Sequence, residues 1–181
     1  MSDSPKTGGP KNVDAKTGGA RPRRPSGLSA ARLLAVQALY QRALGGQSAA
    51  EVLREFAQHR IEEDVDGLKH AKVNRELLAE LVEGVAREEG TLDDMLAAVL
   101  DEDWTVERLE ILLRALLRAA TFELSERLEV PARVVIAEYV DLANAFFDGR
   151  ETAFVNGMLD RLAHVLRAEE FGGPADLSKL R

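Results

Sequence analysis

The amino-acid sequence predicts an all-α protein of about seven helices. Ala and Leu each occur 26 times among the 181 residues, and both residues favour helices. Aromatic residues make up only 5% of the chain, and most Pro residues lie near its N-terminal end. No segment between the two ends alternates apolar and polar residues as a half-buried strand would.

The first two helices are predicted from apolar stripes and from residues that end or cap a helix. The first covers about 29–44, and Gly45-Gly46 would end it. Ser48 and Glu51 have the spacing of a capping box, so a second helix is expected to begin there. The apolar stripe of the first helix consists of Leu33, Val36, Tyr40 and Leu44, and that of the second consists of Val52, Leu53 and Phe56.

The next two helices are predicted on either side of a second capping box. Apolar residues at four-residue steps predict a third helix over about 68–88. Thr91 and Asp94 then have capping-box spacing, which predicts the start of a short fourth helix. The stripes of this pair are Val73, Leu77, Leu81 and Val85, followed by Leu92, Met95, Leu96 and Val99.

Three further helices complete the prediction. Thr105 is expected to cap the fifth helix, which is apolar over more than half its circumference and should therefore lie near the centre. Pro131 suits the first turn of the sixth helix, and Gly149 would end it. The seventh covers about 151–168. The apolar stripe of the fifth helix consists of Leu109, Leu112, Leu113, Leu116, Leu117, Ala120 and Leu124. That of the sixth consists of Val135, Ile136, Tyr139, Ala143 and Phe146, and that of the seventh of Phe154, Met158, Leu162 and Val165.

The charge is divided unevenly along the chain. Residues 1–32 contain seven Lys or Arg and two Asp, a net charge of +5, so the remainder carries −12 of the overall −7. Residues 1–27 are rich in Gly and Pro and offer few apolar side chains, which predicts a disordered basic arm. We expect a helical domain at 28–171 and a flexible tail at 172–181.

Several classes of chemistry are excluded by composition and spacing. There is no Cys, and His59, His70 and His164 stand alone, so we expect no metal and no cofactor. The chain has no Gly-rich phosphate loop and no nucleophile elbow, which favours a binding protein over an enzyme. No apolar run is long enough to cross a bilayer. A soluble, cytoplasmic protein is expected.

Three features remain once core packing is assigned. Arginine can pair with phosphates and stack on unpaired bases, while aromatic and amide side chains can stack on or hydrogen-bond to bases. From the residues alone, a solubilising tail explains the arginines equally well, and core packing is the simpler explanation for the aromatic residues. The features are the guanidinium groups of Arg21, Arg23, Arg24 and Arg32, the segment Phe154-Val-Asn156-Gly157, and Tyr40.

Four segments, in this order, closely resemble the NusB family of transcription antitermination factors, and the resemblance extends over about residues 29–168. They are Arg32-Leu-Leu-Ala-Val-Gln-Ala-Leu-Tyr40; Leu117-Arg118 with Phe122-Glu123-Leu124; Val130-Pro131 with Val135-Ile136-Ala137-Glu138; and Phe154-Val-Asn-Gly-Met-Leu-Asp160. The first and last segments are together specific to the family.

The resemblance implies a helical fold of two packed three-helix groups. It also implies binding to NusE, a protein of the small ribosomal subunit, and recognition by the pair of the single-stranded boxA element of ribosomal RNA transcripts. In the family this complex joins RNA polymerase and suppresses premature termination.

The resemblance further implies roles for single residues. Arg21, Arg23, Arg24 and Arg32 correspond to the family's arginine arm, Phe154 and Asn156 fall on the RNA-facing helix, and Tyr40 matches a tyrosine near the NusE contact. Arg118 and Glu123 also match the family, in contact or structural roles. The segment Ser26-Gly27-Leu28-Ser29-Ala30-Ala31 separates Arg24 from Arg32, whereas the family's arginines lie directly against the first helix.

Two other interpretations stay open at this point. NusB-like domains also occur fused to ribosomal RNA methyltransferases, so the chain could be an RNA-binding module that serves RNA modification. It could also be a helical adaptor or a homodimer whose arm binds nothing specific.

Overall fold

The computed structural model describes residues 26–59, 72–101 and 104–173, and in these ranges the chain is helical without any strand. The six α-helices are α1 (Gly27–Gly45), α2 (Ala49–His59), α3 (Arg75–Ala97), α4 (Ile111–Glu126), α5 (Ala132–Phe146) and α6 (Gly149–Leu166). Two short 3₁₀ turns follow α3 and α6, at Val106–Arg108 and Ala168–Phe171. The predicted all-α fold is confirmed.

The helices pack as two three-helix groups. The first group consists of α1, α2 and α3, and the second of α4, α5 and α6. The two groups meet where α4 packs against α1 and α3. Ten of the sixteen residues of α4 are buried, because neighbours surround it on most sides. The predicted central position of this helix is therefore confirmed.

The predicted signals between α1 and α2 are present in the structure. Gly46 follows α1 in the left-handed region at φ 66°, where glycine is favoured because it has no Cβ. The Ser48 N–H donates to Glu51 Oε2 at 2.8 Å, and the Glu51 N–H donates to Ser48 Oγ at 3.3 Å. The Ser48 hydroxyl, which donates to Glu51 Oε2 at 2.7 Å, and then the Ser48 N–H hold the pKa of Glu51 below its ordinary value.

The third and fourth predicted helices form the two halves of α3. The chain is kinked between them at Glu88, at φ −111° and ψ 16°, where the sequence predicts the third helix to end. Leu92 and Leu96 beyond the kink are fully buried in the same core as the first half of the helix. The start of α3 is also later than predicted, because Asn74 caps it by accepting from the Leu77 N–H at 2.9 Å.

Three other helix boundaries differ from their predicted positions. Thr105 precedes the first 3₁₀ turn and makes no side-chain cap there. The cap of α4 is Glu110, whose carboxylate accepts from the Leu113 N–H at 3.0 Å. Pro131 lies immediately before α5 rather than in its first turn. Gly149 begins α6 instead of ending α5, which stops at Phe146.

The predicted buried face of α1 is only partly correct. Val36 is buried, but Leu33 and Tyr40 are half-buried and the Leu44 side chain is 58% exposed. The helix packs against α3 and α4 at once, so two of its faces are buried. Four alanines and two leucines account for much of the buried surface of α1. These buried residues are Ala30, Ala31, Leu34, Ala35, Ala38 and Leu39.

The described residues contain no helix that could cross a membrane and no cluster of three side chains able to hold a metal ion. Residues 1–25, 60–71, 102–103 and 174–181 lie outside the described ranges. The predicted arm, the predicted tail and His70 therefore fall wholly or largely outside them, and the predicted domain boundaries stay predictions.

Candidate nucleic-acid interface

Helix α6 presents Phe154 and Asn156 on opposite sides. With 3.6 residues per turn, two residues that are two positions apart point about 200° away from each other. Phe154 is half-buried and packs against the hydrophobic core, whereas Asn156 is exposed. The two side chains would therefore contact a bound chain from the two flanks of α6.

Asn156 lies on a groove between α5 and α6 with a volume of about 400 Å³. We call it the α5–α6 groove. The Arg133 guanidinium stands over the Phe171 ring, 5.3 Å from its centre, and the His164 ring is 4.2 Å from the same ring. The groove thus combines an amide, a cation and an aromatic face. Its lining also contains Ile136, Ala137, Val140, Asp141 and Asp160.

Gly157 separates the two flanks of α6 and is not required by the packing of the described residues. A Cβ at this position would meet nothing within 4 Å. Glycine inside a helix costs about 1 kcal/mol relative to alanine, so close helix packing does not account for its presence. The bare backbone leaves room for an external group to approach α6.

Tyr40 lies in a groove of about 460 Å³ at the C-terminal end of α1, which we call the Tyr40 groove. The side-chain Oε1 of Gln37 is buried there and accepts no hydrogen bond from any described residue. An unpaired buried acceptor is unfavourable, so this end of α1 carries a local energetic cost. The groove is lined by Gln37, Tyr40, Gln41, Leu44, Gly45 and Phe56.

Arg32 is buried, which corrects its prediction as an RNA contact. Its side chain is 3% exposed and donates from Nε to Glu123 Oε2 at 2.9 Å and from Nη1 to Glu138 Oε2 at 3.1 Å. Burial alone would lower the pKa of Arg32, but the hydrogen bond and charge of Glu123 raise it above its ordinary value. A guanidinium held by two carboxylates inside the fold is not available to a phosphate.

Glu123 is the centre of this buried cluster. The Tyr139 hydroxyl donates to Glu123 Oε2 at 3.1 Å, and both side chains are fully buried. Burial, followed by the neighbouring negative charge of Glu123, raises the pKa of Tyr139 well above its ordinary value. Glu123 therefore has a structural role, since it joins α1, α4 and α5.

Arg118 also has a structural position. Its Nε donates to Asp93 Oδ1 at 2.7 Å and its Nη2 to Asp93 Oδ2 at 2.6 Å, a bidentate pair between α4 and α3. Glu89 accepts from Arg118 and also from Arg42 Nη1, the latter at 2.9 Å. These contacts connect α1, α3 and α4.

Sequence reasoning missed a third groove, of about 700 Å³, where the N-terminal end of α4 meets the ends of α5 and α6. We call it the Leu113 groove. Its floor is apolar and its rim carries three carboxylates, a composition suited to a basic partner. The rim consists of Glu110, Asp148 and Glu151, and the floor includes Leu112, Leu113, Phe146 and Phe147. The groove could not be predicted from the sequence, because its floor residues come from separate parts of the chain.

Arg21, Arg23 and Arg24 lie outside the described residues, so their predicted contact with RNA stays a prediction. The described elements bring Phe154 and Asn156 together on one helix. Tyr40 lies on a different helix, in the first three-helix group.

Comparison with known proteins identifies close relatives. The sequence pattern of the NusB family matches residues 29–164. Transcription antitermination protein NusB of Sinorhizobium fredii is 44% identical over 140 residues, which cover 77% of this chain and 88% of the relative. The protein of the same name from Rhodopseudomonas palustris is 40% identical over 161 residues, covering 89% and 95%.

Solved structures share the fold. T. maritima NusB matches with a TM-score of 0.66 and 26% identity, covering 80% of this chain and 96% of that one. A structure of antitermination factors NusB and NusE in complex with double-stranded RNA matches with a TM-score of 0.61 and 26% identity, covering 75% and 95%.

Proposed function

Because the chain belongs to the NusB family, we propose that it acts with NusE as an antitermination factor that binds the boxA element of ribosomal RNA transcripts. In this role it binds RNA and suppresses premature termination as part of a complex with RNA polymerase. The proposal describes a non-enzymatic protein of the cytoplasm, where bacterial transcription takes place.

The observation that carries the proposal is the family match over 136 consecutive positions, 29–164, which includes the α6 segment that begins at Phe154. A related NusB has been crystallised with NusE and RNA, which supports the same partners for this chain.

The RNA-binding surface that we propose consists of the arginine arm and the two flanks of α6. Phe154 offers an aromatic ring, Asn156 offers an amide, and Gly157 between them permits close approach of the RNA. Single-stranded RNA exposes base faces and edges to such groups. Arg21, Arg23 and Arg24 would supply the phosphate contacts, and Arg32 is left out because it is buried.

NusE is expected to bind at the Tyr40 groove. The groove is apolar around the half-buried Tyr40 ring, which offers a partner an aromatic face and a hydroxyl. The chain beyond residue 32 carries a net charge of −12, which repels RNA on its own. A basic partner would complete a surface across which RNA can lie.

The proposal is tested by titrating a labelled single-stranded boxA RNA with the full-length chain, with NusE, and with both together. We expect the two proteins together to bind boxA more tightly than either alone, and more tightly than a scrambled RNA of the same composition. Equal affinity for both RNAs would favour the adaptor interpretation, and absence of RNA binding would contradict the proposal.

A matched variant tests the arm in the same experiment. Replacing Arg21, Arg23 and Arg24 with Gln in the full-length chain should weaken RNA binding. The log–log dependence of affinity on salt should become shallower by about 0.7 for each phosphate of a single strand that the arm no longer neutralises. Replacing Lys6, Lys11 and Lys16 with Gln removes the same charge further from α1 and should have the smaller effect.

A further inference from the structure

The chain contains a single tryptophan, Trp104, and half of its side chain is exposed. It lies in the connection between α3 and α4, just before the first 3₁₀ turn. The Arg108 guanidinium stands 5.6 Å from the centre of the Trp104 ring, in the geometry of a cation–π contact. Tryptophan is the largest side chain, and exposure of half of it is unfavourable unless another group covers it.

Backbone hydrogen bonds and buried neighbours anchor the backbone at Trp104. The backbone N–H of Trp104 donates to the Asp101 carbonyl at 2.9 Å, and the backbone N–H of Arg108 donates to the Thr105 carbonyl at 3.1 Å. Val106 and Leu109 on the same turn are buried and fasten it to the core. A ring positioned in this way loses little conformational entropy when it binds a ligand.

The connection between α3 and α4 contacts α6 through an ion pair. Asp101 Oδ1 accepts from Arg161 Nη1 at 3.1 Å, so the connection is joined to α6 at Arg161. Phe154 and Arg161 are seven residues apart, which places them on the same side of the helix about two turns from each other. The ion pair therefore lies on the same side of α6 as Phe154, about two turns away.

We propose that Trp104 and Arg108 form a stacking site for an unpaired base of the bound RNA, an inference that rests on the proposed function. An indole ring and a guanidinium are the two planar groups on which bases stack most readily in single-stranded complexes. Asp101 and Glu107 are exposed on the same connection. Their negative charges disfavour a phosphate contact, so the proposed contact is to a base face.

The single tryptophan supplies a direct measurement. Titrating the full-length chain with unlabelled boxA RNA should quench the fluorescence of Trp104, because a stacked base quenches an indole ring. A labelled boxA RNA gives the affinity by anisotropy, with and without NusE. Trp104→Ala should weaken RNA binding about 5- to 150-fold, which corresponds to roughly 1 to 3 kcal/mol for one stacked base.

Two controls separate stacking from a general loss of structure. Trp104→Phe keeps an aromatic face and should recover much of the affinity. Leu128→Ala removes another exposed apolar side chain, 67% exposed at the opposite end of α4, and should leave affinity unchanged. The salt dependence of Trp104→Ala should equal that of the wild type, since the variant neutralises the same number of phosphates.

The outcomes distinguish this inference from the proposed function. If boxA binds tightly while Trp104 fluorescence and the affinity of Trp104→Ala do not change, the stacking site is wrong and the proposed function stands. If Trp104→Ala weakens NusE binding and leaves the affinity of the chain alone for RNA intact, the surface contacts protein and the inference is overturned. If boxA does not bind even with NusE, both proposals fail.

Discussion

Arg32 of α1 and Glu123 of α4 form an ion pair inside the fold, with Nε and Oε2 2.9 Å apart and neither side chain more than 3% exposed. Glu138 and Tyr139 of α5 complete the cluster, so one guanidinium and one carboxylate connect the two three-helix groups. The opposite charges of a buried ion pair compensate each other, and removal of either side chain leaves the other charge buried without a partner.

We therefore predict that Arg32→Met lowers the free energy of unfolding by about 3 to 5 kcal/mol, the usual cost of breaking a buried pair. Urea unfolding measures the change. Adding Glu123→Gln should recover part of the loss, because the unpaired charge is removed. Where both proteins are folded, RNA affinity should equal that of the wild type. A loss of RNA affinity with unchanged stability would show that Arg32 contacts RNA.

The position of Arg32 shows what sequence reasoning could not provide. Its place in a family segment beside other arginines suggested an RNA contact, but the carboxylates that bury it lie 91 and 106 positions away. The capping box at Ser48 was predicted correctly because both partners are local. The break predicted before Thr91 is present as a kink at Glu88, and burial of Leu92 and Leu96 packs the second half of α3 into the same core as the first.

The candidate site was likewise predictable only where its residues lie close together in the sequence. Phe154, Asn156 and Tyr40 were predicted because they lie in short segments that the family shares; each is at least partly exposed, and their roles stay predictions. Trp104 and the Leu113 groove were missed, since exposure and the meeting of separate helices do not show in a periodic pattern.

A second prediction concerns the contact between α3 and α4 at Gly84. A Cβ on Gly84 would overlap the buried ring of Phe122, so Gly84→Ala should destabilise the fold by about 1 to 3 kcal/mol despite the better helix propensity of alanine. Gly90 of the same helix is exposed and has no atom within 4 Å of a Cβ. Gly90→Ala should therefore stabilise the fold by about 0.4 to 1 kcal/mol. Thermal melts that rank the two variants in the opposite order would contradict this packing.

A third prediction follows from the pKa of Glu89. Burial would raise this pKa, but Arg42 and Arg118 outweigh burial and hold it below the ordinary value of 4.5. A depressed pKa in the folded state contributes stability above the unfolded pKa, and this contribution is lost as the pH falls through the folded pKa. Melting temperature should thus fall below about pH 4.5, less steeply in Glu89→Gln than in the wild type. Glu83→Gln, on the exposed side of α3, should keep the wild-type slope.

A fourth prediction separates the two roles open to Phe154. Its ring is half-buried against the core, so Phe154→Leu retains apolar packing and should change the melting temperature little. The same variant removes the aromatic face, and boxA affinity should fall by about 1 to 3 kcal/mol if a base stacks there. Wild-type RNA affinity in Phe154→Leu, together with a large stability loss in Phe154→Ala, would assign the ring to the core alone.

The last prediction concerns the Tyr40 groove and NusE. Tyr40→Asp places a charge beside apolar side chains and the unpaired Gln37 Oε1, so it should weaken the one-to-one complex with NusE by at least about 2 kcal/mol if the contact is central. Tyr40→Phe removes only the hydroxyl and should cost less. Calorimetry measures both, and sedimentation of the chain alone shows whether the same residue lies in a homodimer. Helix content should persist, because Tyr40 is only half-buried.

Equal NusE affinity for wild type and Tyr40→Asp would show that the contact lies on another surface. The acidic rim of the Leu113 groove is the next candidate, since its three carboxylates suit a basic ribosomal protein.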